Sequence, residues 1–252
     1  MSSAIVLDRV SRTFKSAGRE VTAVDDLSLA IEPGEYVCIV GRSGGGKSTT
    51  VNLILGLLAP TTGTVRVFGH DPARDGDVLR GRVACIFQSD RLLPWRTAVD
   101  NVRLPLEIVG RDEARLAVSP AEWLSRFKLD GFEEAYPHEL SGGMRQRVAL
   151  ARAMACDPDI ILADESFASL DAITGEALRQ EFRDAAKETG KTVIHITHSI
   201  DEAMSLADRI LVFGRPGRVC AEHDVSRERD GRTLNAAALE QDIKAVMAGP
   251  HA

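Results

Sequence analysis

Residues 41–48 read GRSGGGKS, fitting the pattern G-x-x-x-x-G-K-S/T, and stand between an apolar run, YVCIV, and a segment of helical character, KSTTVNLILGLLA. That context suits a phosphate chain. The stretch Gly41, Arg42, Ser43, Gly44, Gly45, Gly46, Lys47, Ser48, Thr49 looks like a complete phosphate site: its glycines let backbone N–H groups curl around anionic oxygens, and the following helix adds a positive end. Lys47 reaches terminal phosphates, and Ser48 offers a hydroxyl to Mg²⁺. In a glycine-rich turn that binds nothing, a lysine with a hydroxyl neighbour at this spacing has no structural use.

A phosphate-bound Mg²⁺ needs an acidic partner at the end of a strand, and IILADE supplies Asp164 after an apolar run, with Glu165 next. Asp164 can orient the metal through water while Glu165 polarises an attacking water as general base, provided the two carboxylates diverge. His198 ends the pattern VIHITH, where ligands of parallel sheets lie, so it is open to a phosphate contact or to an ordinary cap; His195 belongs inside the strand. Gln88 follows the apolar run ACIF, where a side chain could touch Mg²⁺ or water. Phe14, near the first strand, has two uses open to it, stacking on a base or joining the core.

A second glycine motif, LSGGMRQR, spans residues 140–147 and opens a long helical run. Ser141 reads as the N-cap, and the free amides of Gly142 and Gly143 lie at a positive helix end, which makes a second anion site. Two glycines in a first helical turn cost roughly 1 kcal/mol each relative to alanine, so something must offset them. With one phosphate loop already present, a second anion site is most useful against the nucleotide of another copy. A head-to-tail pair sharing two ATPs is the expectation.

These residues must be carried by alternating strands and helices. AIVLDRVSRTF and VDDLSLAIEPGEYVCIVG read as strands, with YVCIV suited to a buried parallel one; TTGTVRVFG and ACIFQ follow as further strands. Between 89 and 156 helical pieces prevail, and Pro94, Pro105, Pro120 and Pro137 are expected to break them. DIILAD, AITGEALRQEFRDAAKETG, KTVIHITH, SIDEAMSLAD and RILVFG then alternate as in a parallel sheet with crossovers. The expected organisation is an α/β core over 1–88 and 157–220, an inserted helical subdomain over 89–156, and a tail over 221–252 with a terminal helix in TLNAAALEQDIKAVMA.

Composition narrows the classes. At 252 residues with 44% hydrophobic and 27% charged residues the chain can bury a sizeable core, and a net charge of −6 argues against general binding of duplex nucleic acid. Cys38, Cys85, Cys156 and Cys220 are far apart without metal spacing and read as reduced thiols. No apolar run approaches the ~20 residues that cross a bilayer, and the start lacks signal-peptide features, so a cytoplasmic protein is expected, joined to a membrane only through a partner.

In order and spacing the motifs resemble those of the ATP-binding subunit of ABC transporters over nearly the first 220 residues: GRSGGGKST as Walker A, Gln88 as the Q-loop glutamine, LSGGMRQR as the signature, IILADE as Walker B, ASLD as the D-loop and ITH as the switch histidine. The resemblance implies an α/β fold, the P-loop NTPase ABC cassette, with a RecA-like core, an antiparallel β portion and an inserted helical subdomain. It also implies ATP hydrolysis with Mg²⁺, Glu165 as catalytic base, His198 as γ-phosphate contact, Gln88 as a metal and water contact that senses a permease, and Phe14 stacked on adenine. Ser141, Gly142 and Gly143 would contact the γ-phosphate in trans within a homodimer, and Asp171 would connect the two sites. The chain departs from the family pattern in three places. Ser166 replaces a common proline, ASLD the frequent GALD, and Phe14 the commoner tyrosine; the turnover rate is the property these put in question.

QSDRLLPWRTAVDNVRLPLEIVG and LADRILVFGRPGRV are similar to importers of nitrate, sulfonates and taurine. Leu92, Leu93, Pro94 and Trp95 would face the permease in that group, whereas Leu92 and Leu93 are equally suited to the subdomain core. The implied setting is the cytoplasmic face of the inner membrane, peripheral through a permease, with a periplasmic or extracellular binding protein as indirect partner and no nucleic acid. A P-loop kinase would leave the signature unexplained. A soluble ABC ATPase is disfavoured by the lack of a tandem cassette, long coiled coil or strongly basic face, and an exporter shares the same core motifs.

Overall fold

The computed structural model describes residues 3–16, 19–167, 172–225 and 236–248. In chain order its elements are β1 (Ile5–Ser16), β2 (Arg19–Ile31), β3 (Tyr36–Gly41), α1 (Lys47–Ile54), β4 (Thr62–Val67), α2 (Gly76–Leu79), β5 (Val83–Ile86), α3 (Ala98–Val109), α4 (Pro120–Arg126), α5 (Gly142–Met154), β6 (Ile160–Asp164), α6 (Ala172–Glu188), β7 (Thr192–Thr197), α7 (Ile200–Leu206), β8 (Arg209–Phe213), β9 (Val219–Asp224) and α8 (Ala236–Ala248). They fall into two units, Met1–Leu79 with Thr192–Ala252, and Arg80–Lys191.

In the first unit β1 pairs antiparallel with both β2 and β4. The solvated face of that sheet explains the exposed and buried alternation from Thr64 to Val67 in β4. A second set of strands is parallel: β3 lies between β7 and β8, with Val40 opposite both Thr197 and Val212. Every residue of β3 is buried, the reason its sequence is a continuous apolar run rather than an alternating one. β9 adds antiparallel to β8, so residues 221–224 of the expected tail belong to a strand. The tail's helix, α8, contacts β8, β9 and α7 and buries Leu239 and Ile243, four residues apart on one face.

In the second unit β5 and β6 pair in parallel from Val83 opposite Ile160 to Ile86 opposite Ala163. Helices α3, α4 and α5 pack on one another, and α5 also touches β5 and α6. The prolines punctuate less than their number predicts. Pro120 starts α4, where its missing N–H costs nothing and a Ser119/Glu122 capping box closes the turn, and Pro105 is carried inside α3 without ending it. Thr97 caps α3 and the buried Asn101 side chain donates to the Thr97, Arg96 and Leu93 carbonyls, so local hydrogen bonds fix this helix start. Among the described residues no helix is long and apolar enough to cross a membrane.

Candidate functional site

The first unit carries the phosphate loop. Gly41 ends β3 opposite Phe213, and a Cβ there would lie 2.6 Å from the Phe213 carbonyl oxygen, a distance that excludes any side chain. Gly46 caps α1 with φ 72°, and a Cβ on it would lie 2.3 Å from Ala23 O and 2.9 Å from Gly217 Cα. Two backbone stretches thus press on the loop, and they are tied together: Gly217 N donates to Ala23 O at 2.8 Å and Asp25 N to Gly217 O at 3.0 Å. The sequence reading missed this support, because nothing local marks Ala23 or Gly217 as neighbours of the loop.

Lys47 is buried, and its ammonium donates to Gly41 O at 2.7 Å and Arg42 O at 2.9 Å, which holds the cation against the loop. Arg42, Ser43, Gly44 and Ser48 are exposed, Thr49 is half-buried, and Gly45 is buried. His198 follows β7 directly and its Nδ1 lies 3.3 Å from Gly41 O, so one carbonyl gathers Lys47 and His198 at the C-terminal ends of two adjacent parallel strands. His195 sits inside β7 with no exposure, and its Nδ1 is 3.0 Å from the Tyr36 hydroxyl. Phe14 is not a core residue. It is 36% exposed on β1, opposite Val21, and the Arg12 guanidinium lies 4.7 Å from its ring centroid, so the ring keeps surface available for stacking.

The second unit holds the acidic and signature residues. Asp164 ends β6 with Oδ1 shielded from solvent, and its charge, after burial itself, helps push the Cys85 thiol up to about 12. Glu165 adopts φ 50°, a left-handed conformation uncommon for a non-glycine residue, immediately after β6 ends at Asp164. Ser166 is fully buried; its carbonyl accepts from Gln146 Nε2, while its hydroxyl has no hydrogen-bond partner among the described residues. Gln88 is exposed two residues beyond β5. The Ser48 hydroxyl of the first unit and the Asp164 carboxylate of the second are each a hard oxygen donor, the chemistry that Mg²⁺ takes.

Ser141 caps α5, its hydroxyl accepting from Met144 N at 3.3 Å, and both Ser141 and Gly142 are exposed. Among the described residues a Cβ on Gly142 would have a single neighbour within 4 Å, Arg145 Nη2 at 3.8 Å, so their packing does not require glycine there. Gly143 is half-buried in the same turn. Leu92 and Leu93 are half-buried, Pro94 is exposed, and Trp95 is 71% exposed, so the apolar segment runs from partly covered to open surface. Asp171 and the rest of ASLD lie outside the described residues.

A strand-ending glycine loop closed by a lysine, an acidic pair at a strand end and a glycine-started signature helix define an ATP-binding cassette. Comparison agrees. The family profile described as ABC transporter matches residues 24–168. A taurine import ATP-binding protein of Rhizobium johnstonii is 40% identical, covering 91% of this chain and 90% of its own length; a nitrate import ATP-binding protein of Synechocystis is 39% identical over 89% and 83%. An uncharacterized ABC transporter ATP-binding protein of Methanocaldococcus jannaschii is 39% identical over 98% and 92%. Among solved structures, a dimeric post-hydrolysis state of the ATP-binding cassette MJ0796 bound to ADP and Pi is 36% identical with TM-score 0.76, covering 88% of this chain and 98% of that one. The chain belongs to the ABC transporter family, as an ATP-binding subunit that hydrolyses ATP.

Proposed function

We propose that this chain is the motor of an importer for a small anion such as nitrate, a sulfonate or taurine, working as a homodimer at the cytoplasmic face of a membrane permease. The relatives named for taurine and nitrate import support the cargo class, and the apolar, exposed Trp95 with Pro94 supports docking of a permease helix. A binding protein outside the membrane would deliver the cargo.

The observation that carries the dimer is Gly142. A glycine in the first turn of α5 costs helix stability, is exposed, and is not required by any neighbour among the described residues. Close approach of another molecule's phosphate accounts for it. On this reading Ser141, Gly142 and Gly143 bind the γ-phosphate of the second copy's ATP, with Asp171 linking the two sites.

The roles then divide by chemistry. Backbone amides from Gly41 to Thr49 cradle the phosphates, Lys47 neutralises charge on the terminal ones, and Phe14 stacks on adenine. Ser48, Asp164 and Gln88 would hold Mg²⁺, which supplies charge neutralisation on the β- and γ-phosphate oxygens when bound. Glu165 accepts a proton from the attacking water as the water oxygen bonds to the γ-phosphorus; the bond to the bridging oxygen breaks, leaving ADP and phosphate. His198 steadies the γ-phosphate. Residues 89–156 act as the helical subdomain that carries the signature.

The test is Glu165→Gln. The variant should bind ATP, lose hydrolysis and run as a dimer in gel filtration with ATP and Mg²⁺; a protein that stays monomeric would refute the shared-site reading, and unchanged turnover would remove Glu165 as the base.

A further inference from the structure

Asp90 lies two residues beyond Gln88 and two before Leu92, and both of its carboxylate oxygens are engaged. Oδ2 accepts from Arg145 Nε at 3.0 Å, and Oδ1 accepts from the backbone N–H of Leu92 at 3.2 Å. Arg145 stands four residues after Ser141, one turn into α5. Its Nη1 donates to Leu140 O at 2.8 Å, the carbonyl immediately before the Ser141 cap, and its Nη2 is the atom nearest to where a Gly142 Cβ would be. One guanidinium therefore grips the entry to the signature helix and the segment after Gln88 together.

A second arginine repeats the link from the same face. Arg152, seven residues and two turns further along α5, donates Nη1 to Arg91 O at 2.8 Å and Nη2 to Asp90 O at 2.5 Å. Beyond it, the buried Asn101 accepts from Leu93 N at 2.8 Å and donates to Leu93 O at 3.2 Å. The run from Asp90 to Leu93 is thus held by side chains at each step, and its far end presents the exposed Trp95. The Asp90 and Arg145 side chains are 31% and 36% exposed, so their pair is partly withdrawn from water. The planar fork of arginine fixes two directions at once, which a point charge does not.

We propose that Arg145 is a positioning residue that, through Asp90, makes the Leu92–Trp95 segment and the Ser141 helix start one mechanical unit. Displacing the segment moves Asp90, Asp90 moves the guanidinium, and the guanidinium moves the Leu140 carbonyl that immediately precedes the Ser141 cap. Docking at Trp95 is thereby transmitted to the residues that meet the second copy's nucleotide. The inference rests on the shared-site reading of the signature.

The experiment measures ATP-driven dimerisation of the Glu165→Gln protein by sedimentation over a range of concentrations, together with ATP affinity of the monomer. Arg145→Gln and Asp90→Asn, introduced singly, should each weaken dimerisation by about tenfold or more, the scale of a lost charge-assisted hydrogen bond, and leave monomer ATP affinity unchanged. The double variant should be no weaker than either single one, because both remove the same link. Arg145→Lys, which keeps the charge and loses the fork, should fall in between. Dimerisation at the parent level in either single variant, additive losses in the double variant, or an equal loss of monomer affinity would overturn the proposal. If the Glu165→Gln parent itself does not dimerise, the shared site is refuted, and the role of Arg145 falls with it.

Discussion

Ser166 and Glu165 concentrate local strain at one point of the chain. Glu165 is held with φ 50°, a conformation that costs of order 1–3 kcal/mol for a non-glycine residue, and the next side chain buries a hydroxyl with no partner among the described residues. The Gln146 amide donating to the Ser166 carbonyl restrains the turn from the signature helix side. Such strain persists where surrounding structure over-determines it, and here it falls at the residue that follows the strand end at Asp164. The same scale decides how the signature acts. Ser141→Arg places a bulky cation at the α5 cap and should lower hydrolysis by at least about a hundredfold, as when donors aimed at developing charge are lost, with ATP affinity of the monomer kept. Equilibrium binding of a fluorescent ATP analogue to dilute protein checks the second half; a large loss there would place the motif against its own chain's nucleotide.

At the scale of elements, the phosphate loop owes its shape to backbone from β2 and from the turn joining β8 to β9. A pair of the left-handed glycines, Gly46 and Gly131, separates strain from crowding. At Gly131, φ is 82° and nothing lies within 4 Å of an added Cβ, so Gly131→Ala should cost only the left-handed penalty, about 1 kcal/mol. At Gly46 the added atom would meet Ala23 O at 2.3 Å, and since that neighbour is backbone, Gly46→Ala should cost roughly 2–4 kcal/mol and abolish ATP binding. Thermal unfolding of the two variants, compared with the parent, reads the difference directly. Equal shifts would mean that the loop relaxes without its support.

At the scale of the whole molecule, the proposed catalytic unit has two chains, and activity must then depend on their encounter. ATPase activity per molecule should fall as the protein is diluted below its dimerisation constant, and velocity should rise more steeply than the first power of protein concentration in that range. Assays over a wide dilution series at saturating ATP and Mg²⁺ measure it. A strictly constant specific activity would show that one chain suffices.

By itself the sequence determined the class of protein and the strands and helices around its motifs, because the phosphate loop, Walker B and the signature are contiguous motifs whose chemistry depends on neighbours along the chain. The buried run of β3, the cap at Ser141 and the strand end at Asp164 are legible for the same reason: period and capping act over a few residues. It also left alternatives that only tertiary structure could decide. Phe14 turned out half in solvent on β1, Leu92 and Leu93 half-buried beside an exposed Trp95, and Pro105 tolerated inside α3. Ala23 and Gly217 under the loop, and Arg145 on Asp90, carry no mark in the sequence, since their meaning lies in partners that are 23 to 194 positions away. Local rules write the motifs, and only the folded chain brings distant backbone and side chains close enough to hold them in place.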